Sequence, residues 1–254
     1  EKNSRTLKRI PRGARVSFAR ALIQLCREVN EHNSVDAWTA YLMFAKCVLL
    51  PCNRYGKRHR AYYTEWTTSR CEQWIGPSHA TFQQKMQIRV RMWRELPTTK
   101  TPSNASSLYS KVKALIEEGR FSLACRSLTK DSLAPKTEKT AATLREKHPA
   151  GDNTAEPAEM PKSLKLEPDE IFKAIRSFPV GSAGSLSGLR PDHLRDASQA
   201  VLQSSVAEEI CKLCNLIASG KVCKAIQPLL AGGSLTALMK KDGGIRPIDV
   251  GDVL

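Results

Sequence analysis

Apolar residues recur at helical spacing through the first fifty positions of the chain. One stripe consists of Phe18, Leu22, Leu25 and Val29. Residues three or four positions apart lie on one face of a helix, so this stripe predicts an amphipathic helix with a buried side. A second helix, rich in apolar residues, is predicted from Val35 to Leu50, with Ser34 as its N-cap and Pro51 as its stop.

After Pro51 the sequence predicts a basic loop. After Pro77 it predicts a long basic helix over residues 79–96. Its apolar edge consists of Phe82, Met86, Val90 and Trp93, and we expect charge on the other faces from Lys85, Arg89, Arg91 and Arg94. Residues 97–106 have the composition of a linker. Shorter helices are expected within residues 107–129 and 136–147.

Residues 149–163 show no periodicity and are rich in Pro, Ala, Gly and Glu. Such a composition is typical of a flexible linker. We therefore expect a domain boundary here, with a basic helical region in residues 1–148 and a second region in residues 164–254.

The second region starts with a helix that is opened by Glu167 to Glu170 and stopped by Pro179, and a Gly/Ser loop follows at residues 181–188. Further helices are expected at about 192–201 and 204–218. Only residues 234–248 alternate as strands do, on both sides of a Gly-containing turn, and this predicts a β-hairpin. The predicted fold class is mainly α, with an α+β segment at the end of the chain that finishes in the hairpin.

The charge of the chain, +15 in total, is concentrated near its start. Residues 1–100 hold 19 Lys and Arg against 7 Asp and Glu. Such a field favours RNA or DNA as a partner, because phosphate contacts release condensed counterions. The densest run contains Arg54, Lys57, Arg58 and Arg60, beside two tyrosines on which bases could stack. A solvated loop or a nuclear-import signal is the alternative interpretation.

Other features restrict the class of protein. The longest apolar stretch, Ala40 to Pro51, contains Lys46 and is shorter than the roughly 20 residues of a membrane span, so no membrane partner is expected. The 8 cysteines are scattered, unlike a secreted disulfide framework. The chain starts at Glu1 without a signal-peptide pattern. We expect an intracellular protein, nuclear or cytoplasmic, and a piece of something longer.

Two groups of side chains could carry chemistry. Cys211, Cys214 and Cys223 open with a metal-like spacing, but a structural zinc site needs four ligands, so buried helical cysteines are the better interpretation. In the hairpin, Lys240, Lys241 and Arg246 could converge on a triphosphate. Alternatively, these lysines and Pro247 protect a strand edge from pairing with other chains.

Two blocks of the sequence resemble a reverse transcriptase of retrotransposon type. Residues 181–194 read GSAGSLSGLRPDHL, similar to the block near the start of the fingers. Residues 240–251 read KKDGGIRPIDVG, similar to the block of the fingers hairpin. Residues 10–15 and 46–49 resemble the region that precedes this domain in such elements.

The resemblance implies roles for particular residues. In that family the fingers hairpin closes over the incoming nucleotide, so Arg246 would bind the triphosphate, assisted by Lys240 or Lys241. The loop with Gly181, Gly184 and Gly188, together with Arg190, would approach the backbone of template or primer. The intact parent would be an RNA-directed DNA polymerase that uses deoxynucleoside triphosphates.

Two departures from the family pattern qualify this expectation. Ser187 stands where the family usually has Asp, and the sequence stops at Leu254, before the palm that carries the catalytic carboxylates. We therefore expect no catalytic residue and no cofactor in this chain, with Mg²⁺ expected only with the palm. The alternatives are a non-catalytic nucleic-acid-binding protein derived from a mobile element, and a helical interaction protein whose charge is incidental.

The composition of residues 149–163 makes this segment the expected first site of limited proteolysis, because proteases cut chain that is not held in regular structure. Brief digestion with proteinase K, followed by mass spectrometry, should give fragments that end there. Protection of this segment while other sites are cut would refute the domain boundary.

Overall fold

The structure of the chain is a computed structural model, which describes residues 6–52, 59–97, 109, 112–113, 116, 121–129, 133–148, 165–184, 186–199, 202–233, 235–240 and 242–254. The described part is mostly helical, with a two-stranded antiparallel hairpin near the C-terminus. The predicted fold class, mainly α with a terminal β-hairpin, is confirmed.

The elements are numbered here along the chain. The helices are α1 Arg15–His32, α2 Val35–Val48, α3 His59–Ile75, α4 Phe82–Arg94, α5 Phe121–Thr129, α6 Glu138–Lys147, α7 Pro168–Ser177, α8 Pro191–Ser198, α9 Gln203–Ala218 and α10 Gln227–Ala231. The strands are β1 Thr236–Met239 and β2 Ile245–Ile248. Among the helices described, none is long and apolar enough to cross a membrane.

Helix α1 lies at the centre of a core in which it contacts α2, α3, α8 and α9. The predicted stripe from Phe18 to Val29 is fully buried, as periodicity required. Aromatic rings extend the core from α1 through α2 to α3: Phe18 lies 5.1 Å from Phe44, and Phe44 lies 5.4 Å from Trp74, measured between ring centroids. Burial of these large apolar side chains is the main source of stability for this packing.

The junction between α1 and α2 follows the rules of helix capping. Asn33 ends α1 in the left-handed region at φ 40°, a conformation that Asn tolerates better than most residues. The Ser34 hydroxyl then accepts a hydrogen bond from the Ala37 amide at 3.3 Å, as predicted for the N-cap of α2. The two helices therefore follow each other with a single turn between them.

Helix α3 starts at His59, inside the run that we expected to be a basic loop. Its buried face consists of Thr67, Arg70, Cys71 and Trp74, which have helical spacing but include two polar residues. Arg70 donates through Nε to the Cys47 carbonyl and stacks 5.4 Å from the Trp66 ring. Hydrophobic periodicity does not predict such a face, so tertiary packing rather than the local sequence pattern determines that this helix forms.

Helix α4 turns a different side to the core than its apolar pattern predicted. Its buried residues are Met86, Arg89 and Met92, while Phe82, Val90 and Trp93 of the expected edge are half-buried. The expectation that Arg89 lies on a charged outer face was wrong. Its guanidinium is fully buried, because it contacts Glu28 on α1 at 2.6 Å and lies 4.9 Å over the Trp74 ring.

The N-terminal segment is held against α8 by one buried carboxylate. Asp196, fully buried, accepts hydrogen bonds from Arg9 Nε at 2.8 Å, from Arg15 Nη2 at 2.7 Å and from the Ile10 amide at 3.0 Å. Beside it, His193 Nδ1 accepts from the Arg190 amide, so its Nε2 carries the hydrogen and donates to the Leu7 carbonyl at 2.7 Å. Burial lowers the pKa of His193 to about 4, which keeps this ring neutral.

A second unit contains the hairpin. In the hairpin Thr236 pairs with Ile248, Leu238 with Arg246 and Met239 with Ile245. On the other edge of β1, the Ala134 amide donates to the Ala237 carbonyl at 3.0 Å. Helix α6 packs on β2, and Lys147 at its end donates to the Ile245 carbonyl at 2.6 Å.

The two units are both discontinuous in sequence. One combines Glu1–Thr98, Ala158–Ser234 and Val250–Leu254, and the other combines Thr99–Pro157 with Leu235–Asp249. The described residues after the expected linker are therefore shared between the units: α8 and α9 pack with α1, and α7 packs on α8 and α9, whereas the hairpin packs with α6. The linker itself, residues 149–163, lies outside the described residues, so the boundary placed there stays a prediction.

The buried ion pairs of Asp196 predict a large effect of one substitution. Asp196→Asn removes the charge that pairs with Arg9 and Arg15, and we expect a loss of about 3 kcal/mol in the free energy of unfolding. Glu138→Gln is the control, since its ion pair with Arg145 is exposed and is expected to contribute less than about 1 kcal/mol. Urea unfolding followed by circular dichroism measures both.

The difference in stability between the wild-type protein and Asp196→Asn is also expected to depend on pH. Burial acts to raise the pKa of Asp196, but the hydrogen bonds from Arg9 and Ile10 and the charge of Arg15 outweigh it and hold this pKa below its usual value. A carboxyl group whose pKa is lowered in the folded state stabilises the fold at pH values above its unfolded-state pKa of about 3.9. This stabilisation is lost as the pH falls. The difference between wild type and Asp196→Asn should therefore shrink from pH 7 to pH 3, and a difference independent of pH would count against this role.

Candidate nucleotide and nucleic-acid interface

The hairpin turn is closed by its own backbone. The Lys240 amide donates to the Gly244 carbonyl at 2.7 Å, and the Gly243 amide donates to the Lys240 carbonyl at 3.1 Å. Gly243 has φ 79°, in the left-handed region that favours glycine. The Asp242 side chain accepts from the Gly244 amide at 2.9 Å, which fixes the turn further.

The strand register determines which side chains share a face of the hairpin. Arg246 pairs directly with Leu238, and side chains alternate along a strand, so Lys240 and Arg246 lie on the same face. Arg246 is exposed and Lys240 is half-buried. Lys241, the third predicted cation, lies outside the described residues. The hairpin therefore places two of the three predicted triphosphate ligands on one face, while the role of edge protection fits the same positions.

The glycine-rich loop between α7 and α8 needs its glycines for its own conformation. Gly181 has φ 87° and donates its amide to Asp192 at 2.9 Å, and Gly188 has φ 73°. A Cβ on Gly184 would lie 2.7 Å from the Leu189 carbonyl oxygen, and one on Gly188 would lie 3.2 Å from Lys46 Cγ. The local geometry thus accounts for all three predicted glycines.

Two arginines tie the loop to itself and to α8. Arg190 donates through Nη1 to the Ser182 carbonyl at 3.3 Å. Arg195 forms an ion pair with Asp192 and donates to the Phe178 carbonyl at 2.6 Å. These contacts give Gly181, Gly184, Gly188 and Arg190 a structural reason to be present, and their proposed approach to a nucleic-acid backbone stays a prediction.

Ser187 belongs to a buried hydrogen-bonded cluster. Its hydroxyl donates to Asp252 Oδ2 at 2.6 Å and accepts from the Leu189 amide at 3.2 Å. The Tyr41 hydroxyl donates to the other oxygen of Asp252. Burial and the negative charge of Asp252 raise the pKa of Tyr41 well above its usual value, so this donor keeps its proton. An Asp at position 187 would face the Asp252 carboxylate, which gives the serine a local explanation.

Two of the three predicted cysteines, Cys211 and Cys214, lie on helix α9. Cys211 donates its thiol to the Leu166 carbonyl at 3.1 Å. Burial, with a contribution from Cys211, raises the pKa of Cys214 to about 11, so its thiol stays protonated at neutral pH. In the part of the chain that the structure describes, no group of three or more His, Cys, Asp and Glu residues is placed to hold a metal ion.

The predicted basic run is only partly described. Arg54, Lys57 and Arg58 lie outside the described residues, and Arg60 belongs to the first turn of α3. Next to this turn of α3 the structure shows a groove of about 710 Å³ that the sequence analysis missed. The residues that line it are Leu7, Arg9, Ile10, Pro11, Arg12, Gly13, Tyr63 and Thr64. No local sequence signal could have indicated it, because Arg9 and Arg12 lie in the N-terminal segment whereas Tyr63 lies in α3, far away in the sequence.

Comparison of the chain with models of protein families, with curated proteins and with solved structures finds no match. We therefore infer function from the residues themselves and from their geometry.

The Ser187 cluster generates a prediction about charge. Ser187→Asp places a second carboxylate in a buried site beside Asp252. We expect the free energy of unfolding to decrease by more than about 2 kcal/mol at pH 8. Repulsion raises the folded-state pKa of at least one of the two carboxyl groups. The variant therefore loses stability as the pH rises above the pKa of that group in the unfolded state, and the decrease in the free energy of unfolding should be smaller at pH 4 than at pH 8.

Ser187→Asn is the matched control, because Asn has the size of Asp without the charge. Thermal and urea unfolding at both pH values measure the two variants. If both variants lose the same stability at both pH values, space rather than charge decides this position.

Proposed function

We propose that this chain is the upstream region and part of the fingers of a reverse transcriptase of retrotransposon type, a nucleic-acid-binding piece of an RNA-directed DNA polymerase. The observation that carries the proposal is the hairpin, whose register puts Lys240 and Arg246 on one face beside a closed glycine turn. The turn occurs within the KKDGGIRPI block on which the resemblance depends.

The chemistry of the hairpin suits a triphosphate. A guanidinium can bind two phosphate oxygens at once, and a lysine ammonium supplies a compact charge beside it. Because the hairpin is held at both edges, by Ala134 and by Lys147, its backbone needs little further ordering when a ligand binds. In the proposed parent enzyme Lys240 and Arg246 hold the deoxynucleoside triphosphate and do not take part in bond making.

Metal binding is not part of the role that we propose for Asp252. Asp252 is engaged by the hydroxyls of Tyr41 and Ser187 and by the Val253 amide, so its oxygens already accept from donors of the fold. Metal catalysis by polymerases needs carboxylates grouped around the ions. The role that we propose for this chain is to bind and position nucleotide and nucleic acid.

The proposed nucleic-acid contact is supported by the charge near the start of the chain. Residues 1–100 carry a net charge of +12, and in the described part several of these cations are exposed, among them Lys8, Arg12 and Arg20. Buried cations such as Arg89 are already neutralised by the fold and do not count toward this field. Salt-dependent binding of RNA or DNA is the expected consequence.

The nucleotide role of the hairpin can be tested in solution. Titration of the chain with dTTP and Mg²⁺, followed by NMR, should shift the amide signals of Gly243 and Gly244. Arg246→Ala should weaken this binding by about tenfold or more, since a charged hydrogen bond is lost. Arg145→Ala, a change of an exposed arginine in the same unit, should leave the affinity unchanged.

Amide shifts that do not depend on Arg246, or that occur in α6 instead of the turn, would rule out the proposed nucleotide role. Loss of the response in Arg145→Ala as well would indicate a general charge effect. In both cases the protein would be better described as a helical interaction protein or a nucleic-acid binder without a nucleotide site.

A further inference from the structure

The groove beside the N-terminal segment is a built feature of the fold. One wall is the segment Leu7–Gly13 and the other is the start of α3 with Tyr63 and Thr64. A Cβ on Gly13 would lie 2.6 Å from Thr64 Cγ2, so the two walls approach this closely only because residue 13 is glycine. Ile10, which is buried, anchors the segment in the core below.

One cation of the groove is fixed in place by the fold. Arg9 binds Asp196 through Nε and Nη2, which leaves the two hydrogens of Nη1 for another acceptor, and 47% of its side chain is exposed. An arginine that is already held by a carboxylate loses little conformational freedom when it binds a phosphate. Arg9 is therefore pre-organised at the edge of the groove.

The other polar groups of the groove complete a site for a phosphodiester. Arg12 is exposed in the short turn before α1. Tyr63 presents an aromatic ring whose hydroxyl donates to the Cys52 carbonyl at 3.2 Å, and this bond restricts the ring. Of the eight residues described as lining the groove, none is acidic, so a phosphate meets no like charge among them.

We propose that this groove binds an unpaired stretch of nucleic acid, with Arg9 and Arg12 on the phosphates and a base stacked on Tyr63. The inference rests on the proposed function for the class of partner and adds the site. A volume of about 710 Å³ admits a nucleotide with an exposed base, whereas a base-paired duplex keeps its bases from the Tyr63 ring. An aromatic platform beside two guanidinium groups favours nucleic acid over an acidic peptide, which has no base to stack.

The test measures binding of the full chain to a fluorescein-labelled single-stranded oligo(U) RNA by fluorescence anisotropy, from 50 to 200 mM NaCl. Arg12→Ala should weaken binding about three- to tenfold at 50 mM and should lower the slope of log K against log salt by about 0.7, the value for one contact to a single strand. Arg91→Ala, an exposed arginine on α4, is the matched control and should change affinity less than twofold.

A second measurement locates the base. The same RNA with 4-thiouridine should form a photo-cross-link to a peptide that contains Tyr63, and unlabelled duplex RNA or polyglutamate should compete poorly for the chain. Arg12 has an exposed side chain, so Arg12→Ala is expected to fold, and circular dichroism verifies this.

The outcomes separate this inference from the proposed function. RNA binding that is salt-dependent but equal in Arg12→Ala, or cross-links elsewhere, overturns the groove while nucleic-acid binding stands. Equal competition by duplex or polyglutamate also overturns it, because it shows a general ionic surface. Absence of salt-dependent RNA binding by the wild-type chain overturns the nucleic-acid part of the proposed function and the groove with it.

Discussion

The buried carboxylate of Asp196 is the group on which the arrangement of the larger unit depends. Transfer of a carboxylate from water to a protein interior is unfavourable unless the charge is paired and its oxygens accept hydrogen bonds. Here two arginines and one backbone amide satisfy it, and all three donors come from the segment Arg9–Arg15. The N-terminal segment and α8 therefore require each other, although they are about 187 positions apart in the sequence.

This constraint explains what sequence patterns could and could not predict. Helix α1 is decided by its own residues, since the stripe from Phe18 to Val29 is apolar throughout and buried. The hairpin is equally local, because its turn glycine and alternating strands lie within a few residues of each other. In contrast, Arg89 looks like a solvent-facing charge until Glu28 and Trp74 are known to surround it. Contacts of that kind depend on the tertiary fold and leave no periodic signal.

The candidate sites also differ in how far the sequence predicts them. Lys240 and Arg246 could be placed on one face from strand alternation alone, and the structure retains that placement. The glycine loop was predicted from its Gly/Ser composition, but only the structure shows that Gly184 and Gly188 are needed for close packing. The groove with Arg12 and Tyr63 escaped the sequence analysis because its walls come from segments about fifty residues apart. One of those segments belongs to α3, which hydrophobic periodicity did not reveal.

We expect the N-terminal segment, α1 and α8 to form one cooperative core that holds the glycine loop and the groove. Native-state hydrogen exchange tests this most directly, because it reports the free energy of opening for each helix separately. In a cooperative core, amides in the middle of α1 and in α8 exchange with the same free energy of opening and the same dependence on urea. Exchange of α8 at a clearly lower free energy, while α1 stays protected, would contradict it.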